Sequence, residues 1–515
     1  GLEFITRVLS SCEFLIRSGD SLLLEKNEHA VEREEGSVRV FPVCPLLREV
    51  SERFIRAGFC IYVVGGAVRD FLLNRSAHDW DLATDAPPER VRMLFRRTVP
   101  TGIEHGTVTI LFRGHSIECT TFRVESDYSD RRHPDSVCFA ARIEDDLARR
   151  DFTVNAFAAA LPSGEIIDVC GGYADLRNGL ICSVGDAHAR FSEDALRPLR
   201  AVRFAAQLSF SIEARTREAI IALRAHTARI SRERVRDELS KMLCTPRPSI
   251  ALRLMEETGL LHTLFPALAQ VCGRNEGEEK ETQDSLQVSP QQRRDARTFA
   301  ACAFAACDRV PAELAVRLAA LLFPLAHYRT LPASGTGAAL FICPPALAEA
   351  RELLRGLKYP NYLTAQVCHL VAHARFTPHE CWSEGTLRRF VVTVGTTQLE
   401  SLCVLRRAYL ADDDYRISAQ PGVSCENARE GKKMQEQFEI FVTRVRRVAA
   451  QLPVHGIRDL AVNGRDLIAQ GIPPGPTIGH ILNALFDMVL MQPSRNTRPQ
   501  LLEHAQEIVR TMAQN

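Results

Sequence analysis

The chain has 515 residues, 46% apolar and 25% charged, with 64 basic against 63 acidic side chains for a net charge of +1. That length exceeds a single core and suggests about three or four domains, and the composition is that of an ordinary globular protein. The even balance excludes a bulk positive field, so any nucleic-acid contact must come from local clusters of charge.

The first stretch, "GLEFITRVLSSCEFLIRSGD", carries Glu3, Glu13 and Asp20 and has no convincing cleavage site. It reads as a poor signal peptide, and residues 1–45 are an extension without an assigned role. No apolar run along the chain approaches the roughly 20 residues that span a bilayer. The 16 cysteines scatter from Cys12 to Cys425 without a CxxC, Cys302 and Cys307 being the closest pair. Zinc sites and disulfide scaffolds need tighter spacing, so reduced thiols in a cytoplasmic protein are expected, most of them acting as small core residues.

From about 46 to 185 strand and helix patterns alternate. "IYVV" (61–64), "TVTILF" (107–112) and "SIECTTF" (116–122) read as strands, "AVRDFLL" and "PPERVRMLF" as helices, the second opened by prolines. This is one mixed α/β domain. Beyond about 186 the β signals mostly stop, and stretches such as "DALRPLRAVRFAAQL" and "TREAIIALRAH" have helical spacing. The polar segment 273–295 is almost without large apolar residues and reads as a disordered insertion. Turn signals such as "PPGPTIG" (473–479) punctuate the helical remainder, and no internal repeat of solenoid period is present.

Two carboxylates flank one tryptophan in Asp79-Trp80-Asp81. On a strand, residues i and i+2 point to one side. Asp79 and Asp81 then face together, with Trp80 and Leu82 turned to the helices behind. Paired carboxylates repel unless a cation sits between them. Mg²⁺ suits them, as a hard ion taking one or two carboxylates plus substrate phosphates. Taken alone, a D-x-D is far more often a solvated loop than a metal site. Gly65-Gly66, after a strand and before a helix, lets backbone N–H groups approach a phosphate, and Arg69 in the same helix can reach that anion. Otherwise the glycines make a tight turn and Arg69 is a surface charge. Glu118, if its strand neighbours that of Asp79, completes a two-metal site; the alternative is an exposed edge.

The ordered set "VVGGAVRDFLL", "HDWDLATDA", "GIEHGTVTI", "IECTTFR", "DYSDRRHPDSV", "LARRDFTVNAFA", "EDALRPLRAVRFAAQL", "SRERVRDELSKML" and "DLAVNGRDLIAQGIPPGPTIGHIL" resembles the class II tRNA nucleotidyltransferases, the bacterial CCA-adding enzymes and their poly(A) polymerase relatives. The resemblance is strong over about 46–265 and patchy beyond. It implies an α/β nucleotidyltransferase head, a mixed sheet with flanking helices, over 46–185. An all-α neck (186–272), body (296–410) and tRNA-binding tail (411–515) follow.

The same resemblance gives Arg150 a role on the incoming triphosphate and puts Asp151 near the ribose, where a carboxylate accepts from a 2′-OH. Asn155 braces the site, and Arg149 reads as a solvated helix start. Asp194 and Arg197, three apart on one helix, share a face. An accepting aspartate beside a donating arginine fits cytosine and adenine and mismatches uracil and guanine; the plainer alternative is an i,i+3 ion pair. Arg200 and Arg203 continue the series near the nucleotide. Ser231 reads as a helix N-cap, with Arg234 and Glu238 an i,i+4 pair.

"ESDYSDRRHPDSV" (125–137) reads as a mobile loop, and in the family a loop here accompanies the switch from C to A addition. Phe323-Pro324 stands where many relatives have His-Asp, so no second metal-dependent hydrolase is expected, and the chain end lacks a basic block for RNA. The implied activity is addition of the 3′-terminal CCA to tRNA from CTP and ATP, with Mg²⁺ on Asp79 and Asp81 and release of pyrophosphate. The partners are the tRNA 3′ end and the two nucleotides, with no membrane. A-only addition, polyadenylation, or a silent RNA-binding relative are the alternatives.

Overall fold

The computed structural model describes residues 39–76, 79–103, 106–125, 137–272, 301–327, 344–374, 376, 382–418 and 426–514. The loop expected over 125–137 and the insertion over 273–295 lie almost wholly or wholly outside these residues, as does most of 1–45.

The β-branched and aromatic run at 61–64 forms strand β1 (Ile61–Val64) inside a seven-stranded sheet. The other strands are β2 (Asp81–Thr84), β3 (Thr98–Gly102), β4 (Thr107–Phe112), β5 (His115–Thr121), β8 (Phe157–Ala160) and β9 (Ile166–Asp168). Two short strands, β6 (Arg123–Glu125) and β7 (Val137–Phe139), pair apart from it. The order is β3-β4-β5-β2-β1-β8-β9; β2 and β5 run parallel, the remaining neighbours antiparallel.

Strand alternation divides the two faces. Val63, Leu82, Ile117 and Cys119 enter the main core. Helix α1 (Pro45–Arg56) packs there with a stripe of Leu47, Val50, Ser51 and Phe54 at i, i+3, i+4, i+7. Helices α2 (Gly66–Leu72) and α3 (Pro88–Leu94) lie on the same side. Val64, Ala83 and Ala158 face the other way, onto Ile143 and Leu147 of α4 (Ile143–Ala148). Asp81 shares the side of Ala83, and Glu118 that of Thr120. The polar end of this second face is where the site forms.

After the sheet come α5 (Gly172–Asn178), β10 (Leu180–Ile181), α6 (Ala187–Glu193), α7 (Arg197–Leu208), β11 (Ser211–Ile212), α8 (Ala214–Leu223) and α9 (Arg232–Leu243). The described remainder is helical. One apolar core runs from Phe41 to Val448, and a separate one is built from Val454 to Ala505. The expected boundary at 410/411 falls inside the helix Leu399–Ser418, whereas the change of core falls just after the helix Glu426–Ala450. Pro324 sits within the helix Leu314–His327. Of the ten cysteines whose side chains are described, all free, five are buried, so the core role expected for most of them holds for half of these. No described helix is long and apolar enough to cross a membrane.

Candidate active site

A cavity of about 770 Å³ opens where β1, β2 and β5 meet α7. Gly65, Gly66, Arg69, Asp81, Glu118, Arg150, Asp151, Asp194, Arg197, Arg200 and Arg203 all line it. Asp79, the remaining candidate, does not.

The expectation that Asp79 and Asp81 share a strand needs correction. β2 begins at Asp81, whose partner on β1 is Val64. At Gly65 the neighbouring chain turns away with φ 71°, so among the described residues none on that side pairs with Asp79, which stays exposed ahead of the strand. Leu82 is buried and Trp80 half-buried against the core, as expected. Glu118 stands in register beside Asp81 across the parallel β2–β5 pair.

Burial, then Glu118, then Asp79 raise the Asp81 carboxyl above its ordinary value, against the pull of Arg150. Its charge is therefore poorly supported by the protein alone. The described residues hold no group of three or more His, Cys, Asp or Glu side chains arranged for a metal. Asp81 and Glu118, with Asp79 close by, fit a hard divalent ion that completes its shell with substrate phosphate.

Gly65 is held in a conformation that favours glycine, and a Cβ there would meet Arg150 Nη1 at 2.8 Å. Its N–H is not available to a ligand, because it donates to Phe157 O (3.0 Å). Arg69 is no surface charge: it is 4% exposed, donates to Asn155 Oδ1 (2.6 Å) and pairs with Asp70 (2.8 Å). Asn155 is itself buried, and its Nδ2 reaches Asp151 Oδ1 (3.4 Å), so it does brace the site.

Asp146, which sequence reading passed over, anchors the arginine pair. It is 1% exposed and accepts from Arg149 (2.7 Å) and Arg150 (3.3 Å). Burial would raise its carboxyl, but the two guanidinium groups outweigh that and depress it. The arginines follow the end of α4 rather than start a helix, and Arg149 is mostly buried. The i,i+3 and i,i+4 spacing of Asp146 to the pair was the available signal. Arg123, Gln207, Thr101, Thr107 and Thr120 are further lining residues; their separate places in the sequence offered no pattern.

Asp151 binds Arg200 through Oδ2 (2.6 Å to Nη2, 2.7 Å to Nε), and its Oδ1 accepts the Phe152 N–H (2.9 Å). Burial pushes its carboxyl up, yet Arg200 carries the net shift downward. Arg203 is locked by Glu238 of α9, Nε to Oε2 at 2.5 Å.

Asp194 and Arg197 do not share a helix. Asp194 ends α6 with extended backbone (φ −131°, ψ 108°), and α7 starts at Arg197. The acid accepts the Leu196 N–H within its own turn (2.9 Å), and that local bond competes with helical continuation. Arg234 pairs with Asp194 (2.8 Å), not with Glu238, and Arg197 pairs with Glu193 (2.6 Å). Ser231 occupies the N-cap position of α9 without a side-chain capping bond. Seven arginines and five carboxylates line the cavity, so it carries a local positive surplus. Such a surplus, beside the neighbouring carboxylates of Asp81 and Glu118, is suited to a metal-bound polyphosphate.

Known proteins match this arrangement. The Poly A polymerase head domain model covers residues 61–182, a model for an RNA- and SrmB-binding site of polymerase A covers 209–272, and a tRNA nucleotidyltransferase domain 2 model covers 336–505. The chain is 33% identical to the CCA-adding enzyme of Lactiplantibacillus plantarum over 90% of this chain and 95% of that one. It is 34% identical to that of Lactobacillus delbrueckii subsp. bulgaricus over 91% and 98%. The crystal structure of the Bacillus stearothermophilus CCA-adding enzyme in complex with CTP superposes with a TM-score of 0.62 at 28% identity, covering 91% of this chain and 98% of that chain. Fold and site thus define a nucleotidyltransferase with a head of the poly(A) polymerase class. The chain belongs to the CCA-adding enzyme family and is a tRNA nucleotidyltransferase.

Proposed function

We propose that the protein adds the 3′-terminal CCA to tRNA from CTP and ATP, releasing pyrophosphate. The observation that carries this reading is a single cavity lined both by the neighbouring Asp81 and Glu118 and by Asp194 and Arg197, which are not paired with each other. Asp79, Asp81 and Glu118 would hold Mg²⁺, which when bound lowers the pKa of the tRNA 3′-OH and offsets charge on the leaving pyrophosphate.

The chain's own residues do the rest. Arg69 and Arg150 neutralise the triphosphate near the Gly65-Gly66 turn. Arg200 and Arg203 hold nucleotide oxygens or the acids that shape the cavity, and Asp151 lies where a ribose 2′-OH would be read. Asp194 accepts from the amino group of cytosine or adenine while Arg197 donates to the ring nitrogen, a pairing that uracil and guanine reverse. The helical tail, with its own core, would hold the tRNA by shape and phosphate contacts. A tRNA substrate supports the cytoplasmic expectation.

The test incubates the full chain and Mg²⁺ with tRNA lacking CCA and with tRNA ending in CC. Addition of CCA to the first and A to the second is expected. Addition of A to the second alone would make it an A-adding enzyme. In a parallel reaction, Asp81→Ala is expected to stop incorporation while tRNA binding persists; full incorporation by that variant would remove the metal role.

A further inference from the structure

Arg69, Arg200 and Arg203 reach the cavity from two helices, α2 and α7, and their carboxylate partners are Asp70, Asp151 and Glu238. Like charges gathered in a buried wall repel one another. Burial holds the Arg203 guanidinium below its ordinary value, and Arg200 pushes the same way. A wall that binds polyphosphate nevertheless needs these charges close together before the anion arrives.

One ring lies among them. Phe204 is 7% exposed and is the one aromatic side chain among the described residues that line the cavity. The guanidinium carbons of Arg203, Arg200 and Arg69 lie over its ring at 3.9, 5.4 and 5.6 Å from the centroid. Phe152, fully buried, meets the ring edge-on with centroids 5.8 Å apart and planes at 75°, which fixes its orientation. On α7, Arg200 stands one turn before Phe204 and so shares its face. Arg69 comes from the other side of the cavity, so the ring joins arginines that the sequence keeps far apart.

The electron-rich face of a ring attracts a guanidinium without accepting its in-plane N–H groups. A further carboxylate would neutralise the wall and occupy those donors. The bonds to Asp70, Asn155, Asp151, Glu238 and Gln207 use only part of the N–H groups that three guanidinium ions present.

We infer that Phe204 is a positioning residue for the incoming triphosphate: its ring holds Arg69, Arg200 and Arg203 together as one wall and leaves their remaining N–H groups to phosphate oxygens. This rests on the proposed placing of these arginines at the nucleotide. A leucine fills much of the same space and supplies no such face. The loss then falls on the grip of the phosphates, and recognition of the base is spared.

The experiment compares full-length Phe204→Leu, Phe204→Met and Phe204→Tyr with Arg69→Met and the unaltered enzyme, with inorganic tripolyphosphate as a competitive inhibitor. It measures the inhibition constant, KM and kcat for CTP and ATP, the selectivity of CTP over UTP, and the unfolding midpoint. Phe204→Leu is expected to weaken tripolyphosphate inhibition and raise both KM values about tenfold, the scale of a desolvated cation–π contact. Its kcat at saturation should fall less, and its selectivity for CTP over UTP should be kept. Phe204→Tyr, which restores an aromatic face, should recover most of the inhibition. If Phe204→Leu does not fold, Phe204→Met takes its place as an unbranched filler. Unchanged inhibition in a folded Leu or Met variant would overturn the inference, whatever its midpoint, and so would an equal loss in Phe204→Tyr. Full inhibition of Arg69→Met would instead overturn the placing of these arginines at the triphosphate, and this inference with it.

Discussion

Replacing Glu238 by alanine isolates the cost of leaving one charge of the cavity wall without its partner. Arg203 and Glu238 meet at 2.5 Å with side chains only 9% and 4% exposed. Their charge centres are about 4 Å apart, worth about 4 kcal/mol at an effective dielectric near 20. Burial already depresses the Arg203 guanidinium below its ordinary value, with Arg200 pushing the same way and Glu238 as its main support. Removing one member of a buried pair costs about 3–5 kcal/mol. Arg203 would keep Gln207 (3.0 Å) and the face of Phe204 (3.9 Å to the centroid), so the low end, about 3 kcal/mol, is expected.

In a unit as large as the continuous core, that corresponds to a fall in Tm of about 4 °C. Urea titration and thermal unfolding of Glu238→Ala read it directly. The control is Arg203→Met with Glu238→Leu, which removes both charges and fills the space. That double variant should unfold within about 1 kcal/mol of the unaltered protein, because apolar pairs replace buried ion pairs at little cost. It should also lose nucleotide binding, since Arg203 lines the cavity. The reasoning is refuted if Glu238→Ala is as stable as the parent, or if the double variant is as unstable as the single one.

Asp81 behaves oppositely to a stabilising acid. Its carboxyl is raised in the fold, so stability falls as pH rises from the ordinary 3.8 through the raised value. Asp81→Asn, melted without Mg²⁺ at neutral pH, should therefore be more stable than the parent while adding no nucleotide. Asp146 and Asp151 are depressed, so their contribution is present above 3.8 and disappears as pH falls through their lowered values. Asp146→Asn and Asp151→Asn should each flatten the acid side of a stability–pH curve; an unaltered acid limb in both would rule this out. Gly65→Ala should cost about 1–3 kcal/mol from its positive φ. It should also raise KM for the triphosphate by displacing Arg150, and an unchanged KM would show that Arg150 does not serve the nucleotide.

Local patterns carried much of the architecture. The runs at 61–64 and 107–112 are strands with the bounds their alternation implied, and the helices after Gly65 and at Pro88 fall where the glycine turn and the prolines put them. These features depend on neighbours in sequence, so a window of residues contains the physics. The gathering of Gly65, Asp81, Glu118, Arg150 and Arg200 at one cavity was legible because several short motifs recur together in one family. What pairs with what was not. Arg234 and Glu238 have the spacing of an ion pair yet reach across to Asp194 and Arg203. Arg197, three residues from Asp194, binds Glu193 instead. Asp79 lost its strand because β1 turns off at Gly65, opposite the residue after it. The sequence alone determined which charges exist and which local element carries each. Partner choice was left to the tertiary structure, because a buried charge takes the counter-charge that the packing of distant helices brings nearest.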